Sequence, residues 1–173
     1  RLCGPLRESQ QAYWRGQLTA LPPALQLPTD LPRPVQRHGQ GRVHRFTLPE
    51  SLAQALRLLA RREEATLFTL MLAAFHVWLH RCTAEQDIMV GTPVSNRDRT
   101  ELQSLVGFFL NTLPVRTRLA STDSFRDILA QVQQTVLSGL EHGDLPFEEL
   151  VALAACNRDA HHDALYQVMF VLV

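Results

Sequence analysis

At 173 residues the chain is long enough for one domain with a proper core, or for one large lobe of something bigger. Hydrophobic residues make up 46% and charged residues 20%, a composition that can bury a core and does not read as disordered. The 17 basic and 17 acidic side chains cancel, which removes the electrostatic case for binding nucleic acid or an anionic membrane surface. Cys3, Cys82 and Cys156 are odd in number and widely spaced, with no CxxC pair, so they read as reduced thiols of a cytoplasmic protein. The opening residues carry no secretory or transit pattern. The final apolar run, 168–173, reads as a strand cut at its end, as in an excised piece.

In chain order, residues 7–18 around Tyr13, Trp14 and Leu18 predict a short amphipathic helix. Six prolines from Pro22 to Pro49 mark a linker, and residues 27–34 should be extended over a surface because proline removes donors and restricts its neighbours. Residues 43–48 alternate with period two and predict a half-buried strand. Pro49 at a first helical position opens a helix with Leu52, Leu56, Leu59 and Ala60 on one face. Thr66 is the expected N-cap of a buried central helix over 67–80, too short for a membrane span of about 18 apolar residues. Strands are predicted at 87–94, 108–119 and 165–173, with a polar loop at 95–104. Thr122 or Asp123 should cap a long helix to about Leu140, and Pro146 should open a short one to Ala155. The class is mixed α/β, a sheet covered by helices.

Two histidine pairs invite a chemical reading. His76 and His80 have the i, i+4 spacing of metal ligands, but no glutamate follows His76 and no third ligand is evident, so they read as core histidines and no metal site is expected. His161-His162 precedes Asp163, and a solvated turn before the last strand accounts for it. No GxSxG, P-loop or GxGxxG is present.

Three stretches carry more. Val106-Gly107-Phe108-Phe109-Leu110-Asn111-Thr112 with Arg116 has the form GxFxNT…R, His142-Gly143-Asp144-Leu145-Pro146-Phe147-Glu148 resembles HQDxPFE, and Arg158-Asp159 with 165–170 resembles RDxSRNPLFxVMF. Gly91-Thr92-Pro93 with Asn96-Arg97 has the form GxPxxxR, and Tyr13-Trp14 with 27–34 resembles an inter-lobe segment. In this order and spacing the chain resembles the C-terminal lobe of a nonribosomal peptide synthetase condensation domain. Gly143 stands where glutamine is usual, and His161, His162 and Ala164 stand where serine, arginine and proline are common. The family's catalytic motif, HHxxxDG, is absent: after His161-His162 its Asp and Gly would fall on Tyr166 and Gln167.

The resemblance implies one lobe of a two-lobed fold like chloramphenicol acetyltransferase, with residues 1–40 as inter-lobe helix and Pro-rich linker and 41–173 as the C-terminal lobe. It implies amide-bond formation between a carrier-bound acyl or peptidyl donor and an aminoacyl acceptor. The fragment is expected to be inactive alone and to hold no catalytic residue. The implied partners are the N-terminal lobe, peptidyl carrier proteins bearing the phosphopantetheine arms, and an adjacent adenylation domain, in a bacterial, secondary-metabolite setting. No cofactor is expected on the chain itself. Alternatives are an epimerisation-domain lobe, a non-catalytic docking or scaffold module, and a free-standing coenzyme A acyltransferase. Asn111, Arg97 and Thr112 are the substrate-side candidates. Gly107, Phe109, Arg116, Asp144, Pro146, Phe147, Glu148, Arg158 and Asp159 read as structural signature residues. Physically, Asn111 can present its amide to a channel, Asp144 can cap the helix opened by Pro146, and Phe147 can anchor that helix in the core. Asn111→Ala should then lower turnover more than stability, and Phe147→Ala should do the reverse at roughly 3–5 kcal/mol.

Overall fold

The computed structural model describes residues 3–31, 41–97, 100–154 and 165–173. Eight elements follow along the chain: α1 (Gly4–Gln17), α2 (Glu50–Arg62), α3 (Leu67–Thr83), β1 (Asp87–Val94), α4 (Thr100–Gln103), β2 (Asn111–Arg118), α5 (Phe125–Glu141) and α6 (Phe147–Leu153). The arrangement is a mixed α/β lobe, as the sequence pattern predicts.

β1 and β2 pair antiparallel in the register Asp87↔Arg118 to Val94↔Asn111. The C-terminal segment joins the other edge of β1 in parallel, through a bridge between Gly91 and Met169. Gly91 donates its N–H to the Val168 carbonyl (3.0 Å) and accepts from Phe170 N–H (2.9 Å). A residue's N–H and C=O point to the same side of a strand. Gly91 is therefore not hydrogen-bonded to its β2 partner, Pro114, and the missing N–H of Pro114 leaves no gap in the ladder. Two positions along, the same holds for Pro93 opposite Thr112. The two prolines fall where the pairing asks nothing of them.

Side chains alternate across β1 into two hydrophobic clusters. Ile88 and Val90 belong to the larger one with Leu72 and Leu79 of α3 and Leu129 and Val132 of α5. Met89, between them, belongs to the smaller one with Trp14 of α1, Leu145, Leu150 of α6 and Leu165. α5 packs on β2 and on α3, α2 on α3, and α1 on α6.

Caps set the helix limits. Thr66 accepts from Thr69 N–H at 3.0 Å, as its position predicts. α5 is capped by Ser124 rather than Thr122 or Asp123: Ser124 and Asp127 form a reciprocal capping box, while Asp123 accepts the Ala120 N–H instead. Pro49 and Pro146 each stand one residue before their helices, at the N-cap.

Further expectations change. The strand predicted at 108–119 is shortened to Asn111–Arg118. Residues 43–48 form no strand, and Val43 and Phe46 are exposed, because their alternation meets no partner strand among the described residues. The predicted strand at 165–173 reduces to the single bridge at Met169. The polar loop at 95–104 contains the one-turn α4. Pro32, Arg33, Pro34, Cys156, Arg158, Asp159, His161 and His162 lie outside the described residues.

No single helix among the described residues is long and apolar enough to cross a membrane. α2 and α3 reach that length only as a pair bent by 104°.

Candidate functional site

The segments 106–112 and 142–148 are far apart in sequence and meet through one side chain. Asn111, the first residue of β2, donates from Nδ2 to the carbonyls of Gly143 (2.9 Å) and Leu145 (2.8 Å). Its Oδ1 accepts the N–H of Phe147 at 3.0 Å, which caps α6, since the ring of Pro146 at the N-cap has no acceptor to offer. Both amide hydrogens are thus held by backbone carbonyls and are not offered to a channel. The capping role expected of Asp144 passes to Asn111, and Asp144 accepts from Gln10 of α1 instead (3.1 Å). Phe147 is half-buried and faces Tyr166 at 5.6 Å, whereas Leu145 and Leu150 are fully buried. The core anchors of this turn are therefore the leucines, and Phe147→Ala should cost less than a fully buried aromatic.

Around this junction three cavities follow one another. The smallest, 310 Å³, is walled by Phe108, Leu110, Asn111, Thr112, Phe147 and Glu148 among others. A second, 520 Å³, shares Asn96 and Asp144 with it. The largest, 590 Å³, shares Val94, Leu113 and Leu140 with the second and runs between the start of α3 and the face of α5. Asn96 sits at the seam in the left-handed region (φ 47°), which asparagine tolerates better than most residues.

Of the substrate-side candidates, Asn111 and Thr112 border the smallest cavity. Arg97 is directed elsewhere. Its guanidinium donates to the carbonyls of Leu102, Leu105 (2.9 Å) and Gly107 (3.3 Å) and lies over the Phe109 ring at 4.4 Å. Gly107 and Phe109 are in that loop, and Glu148 is exposed at the start of α6.

Arg116 has a role that spacing alone did not reveal. Its side chain, 6% exposed, holds Asp87 in a bidentate pair (Nε 2.8 Å, Nη2 2.7 Å). It also donates to the carbonyls of Gln17, Thr19 and Ala20 at the end of α1. All five guanidinium donors are occupied. Burial alone would raise the Asp87 carboxyl, but hydrogen bonds and charge from Arg116 and Arg118 outweigh it and hold the group below its ordinary value of 3.8.

Two further links were not foreseen. Trp14 Nε1 donates to the His142 carbonyl (2.8 Å), and the Tyr13 ring stacks on His142 at 4.1 Å. The aromatic pair in α1 was the available signal, but its target could not be read from it. Burial, with a smaller effect from Glu141, raises the Tyr13 phenol.

His76 and His80 do not converge on a metal. The Nδ1 of each meets a backbone carbonyl, of Leu72 (3.0 Å) and Glu85 (2.7 Å) respectively. Burial lowers the pKa of His76 against the opposing pull of nearby backbone carbonyls, which favours the neutral ring. Among the described residues no group of three or more His, Cys, Asp or Glu side chains could hold a metal ion.

Comparison with known proteins sets these features in a family. The family model of the condensation domain matches residues 3–173. A linear gramicidin synthase subunit of Brevibacillus parabrevis is 46% identical over 171 residues, 99% of this chain and 2% of that protein. Phosphinothricin tripeptide synthetase PhsC of Streptomyces viridochromogenes is 49% identical over 160 residues, 92% of this chain and 15% of that protein. The chain thus spans a small part of the relatives it matches. The crystal structure of a four-domain nonribosomal peptide synthetase bound to AMP and glycine superposes with a TM-score of 0.91 at 28% identity, covering 97% of this chain and 13% of that one. The matched span, the shared fold and the joined signature segments agree: the chain belongs to the condensation domain family, of the kind carried by nonribosomal peptide synthetases.

Proposed function

We propose that this chain is the C-terminal lobe of a condensation domain that joins a carrier-bound acyl or peptidyl donor to a carrier-bound aminoacyl acceptor. In that reaction the acceptor amine attacks the donor thioester carbonyl. A C–N bond forms, the C–S bond breaks, and the proton lost by the amine ends on the departing thiol. The observation that carries the reading is the Asn111 junction, which makes two signature segments of the family one hydrogen-bonded unit beside a row of cavities that share lining residues. The lobe would supply one wall of the reaction tunnel. The motif HHxxxDG does not occur in these 173 residues, so the proton-transfer histidine would come from an N-terminal lobe. The division into a linker over 1–40 and a lobe over 41–173 belongs to the same proposal, with α1 laid back against α6. The phosphopantetheine arms belong to the carriers and arrive with the substrates, and an adenylation domain would load the acceptor. A bacterial setting fits the organisms of the synthetases named above, and a cytoplasmic one fits the three widely spaced cysteines. Within the cavity wall, Thr112 is the substrate-side candidate, while Asn111 acts by holding the junction.

The test supplies donor- and acceptor-loaded carrier proteins to the 173-residue chain alone and to the same chain joined to a lobe bearing HHxxxDG. Amide product is expected from the joined protein alone. Amide formation by the isolated chain would overturn the division of labour, and none from either would overturn the function.

A further inference from the structure

The loop between α4 and β2 lacks the ladder of a strand or helix, and its own backbone contributes a single turn bond, Leu105 N–H to the Leu102 carbonyl (3.3 Å). It is also apolar and open to solvent: Val106 is 104% exposed and Phe108 88%. Water does not favour holding such a segment extended, and fixing its backbone carries an entropic cost that the turn bond does not meet. What holds it is Arg97. Two of its carbonyls, those of Leu105 and Gly107, converge with that of Leu102 in α4 on one guanidinium, and Phe109 places its ring face against the same cation. Arginine suits this task because its planar fork donates in several fixed directions while its flat face stacks on an aromatic ring.

Arg97 does not line any of these three cavities, whereas Phe108 and Leu110 of the loop wall the smallest one beside Asn111 and Thr112. We infer that Arg97 is a positioning residue: it shapes the loop over 102–109 so that Phe108 and Leu110 close one side of the 310 Å³ cavity, and it acts on amide formation through them without touching substrate. The kinetic half of this rests on the function proposed above. The ordering half rests on the loop geometry alone.

The experiment uses the synthetase that contains this chain, with Arg97→Ala, Arg97→Lys and Phe108→Ala variants, and reads hydrogen exchange together with amide-forming kinetics. Arg97→Ala should speed exchange of the amides at 105–110 about tenfold while α3 and α5 keep their protection. It should raise KM for a carrier-bound substrate roughly tenfold with kcat within about threefold. Arg97→Lys should fall between, since an ammonium retains some carbonyl contacts but neither the fork nor the stack. Phe108→Ala should raise KM without speeding exchange in the rest of the loop. Unchanged loop exchange in Arg97→Ala, with a fall in kcat, would overturn the inference in favour of direct substrate contact. Lost protection spreading to α3 and α5 would overturn it in favour of a general folding role. An unchanged KM in Phe108→Ala would remove the proposed route. A wild-type synthetase that forms no amide would overturn the functional reading and the kinetic half with it, leaving exchange to decide the ordering half.

Discussion

Both amide hydrogens of Asn111 go to carbonyls of the α5–α6 connection, and its oxygen takes the first N–H of α6. Only a carboxamide on a short stem can donate twice and accept at once in this way. Removing it strands two partly buried carbonyls and uncaps a helix. Asn111→Ala should therefore lose about 2–4 kcal/mol, read as a shift in urea midpoint. Asn111→Asp keeps the acceptor for Phe147 but sets a carboxylate against the carbonyls of Gly143 and Leu145, so it should be no more stable than the alanine variant. An aspartate variant as stable as wild type would show that the two donated bonds contribute nothing. The expectation that Asn111→Ala lowers turnover more than stability assumes an amide facing a channel, and both its hydrogens are instead held by backbone carbonyls. The residue stood out within its motif, but its partners lie 32 to 36 positions away, beyond the reach of any local pattern.

Among the elements, β1 was legible to its limits, because an apolar run bounded by polar residues at both ends is a complete local signal. Its neighbours were less so. Alternation at 43–48 permits a strand without providing an edge to pair with, and at 165–173 the pairing is confined to the residues opposite Gly91. Gly91 marks why the C-terminal segment can come so close. A Cβ there would lie 2.6 Å from the Tyr166 ring, so the ring or the strand would have to move. Gly91→Ala should cost about 1–3 kcal/mol by overpacking. It should also loosen the parallel segment first, seen as faster exchange at the Phe170 amide, which bonds to the Gly91 carbonyl. Equal loosening of β2 would argue for a general loss of the sheet instead.

For the molecule as a whole, Arg116 fastens α1 to the sheet. Two of its five bonds go to Asp87 on β1 and three to the carbonyls after and within the last turn of α1, including that of Ala20, whose backbone is left-handed (φ 47°). Arg116→Ala should cost about 3–5 kcal/mol, because it leaves three carbonyls without their donor and a partly buried carboxylate with Arg118 as its remaining ion-pair partner. Arg116→Lys should recover a minor part, since an ammonium cannot form the fork. Asp87 supplies a pH signature. Its carboxyl is held below the ordinary value of 3.8 in the folded chain, so its contribution is full above that value and is lost as pH falls through the depressed one. Chemical denaturation across the acid range should show this loss in the wild type and a flatter acid limb in Asp87→Asn. An identical acid limb in the two proteins would remove the pair from the account.

The sequence by itself determined the α/β class, which rests on local periodicity, and the family and its signature segments, which rest on the resemblance of several short motifs and their order along the chain. It also determined that the chain carries no HHxxxDG motif. The tertiary structure alone decided what the marked residues do. Arg97 ties a loop, Asn111 ties two motifs and Arg116 ties a helix to a strand. In each case the partners are mostly backbone carbonyls, and a carbonyl has no letter in the sequence. Which carbonyl a side chain meets depends on how the elements pack, and packing is settled only when the two hydrophobic clusters close around β1.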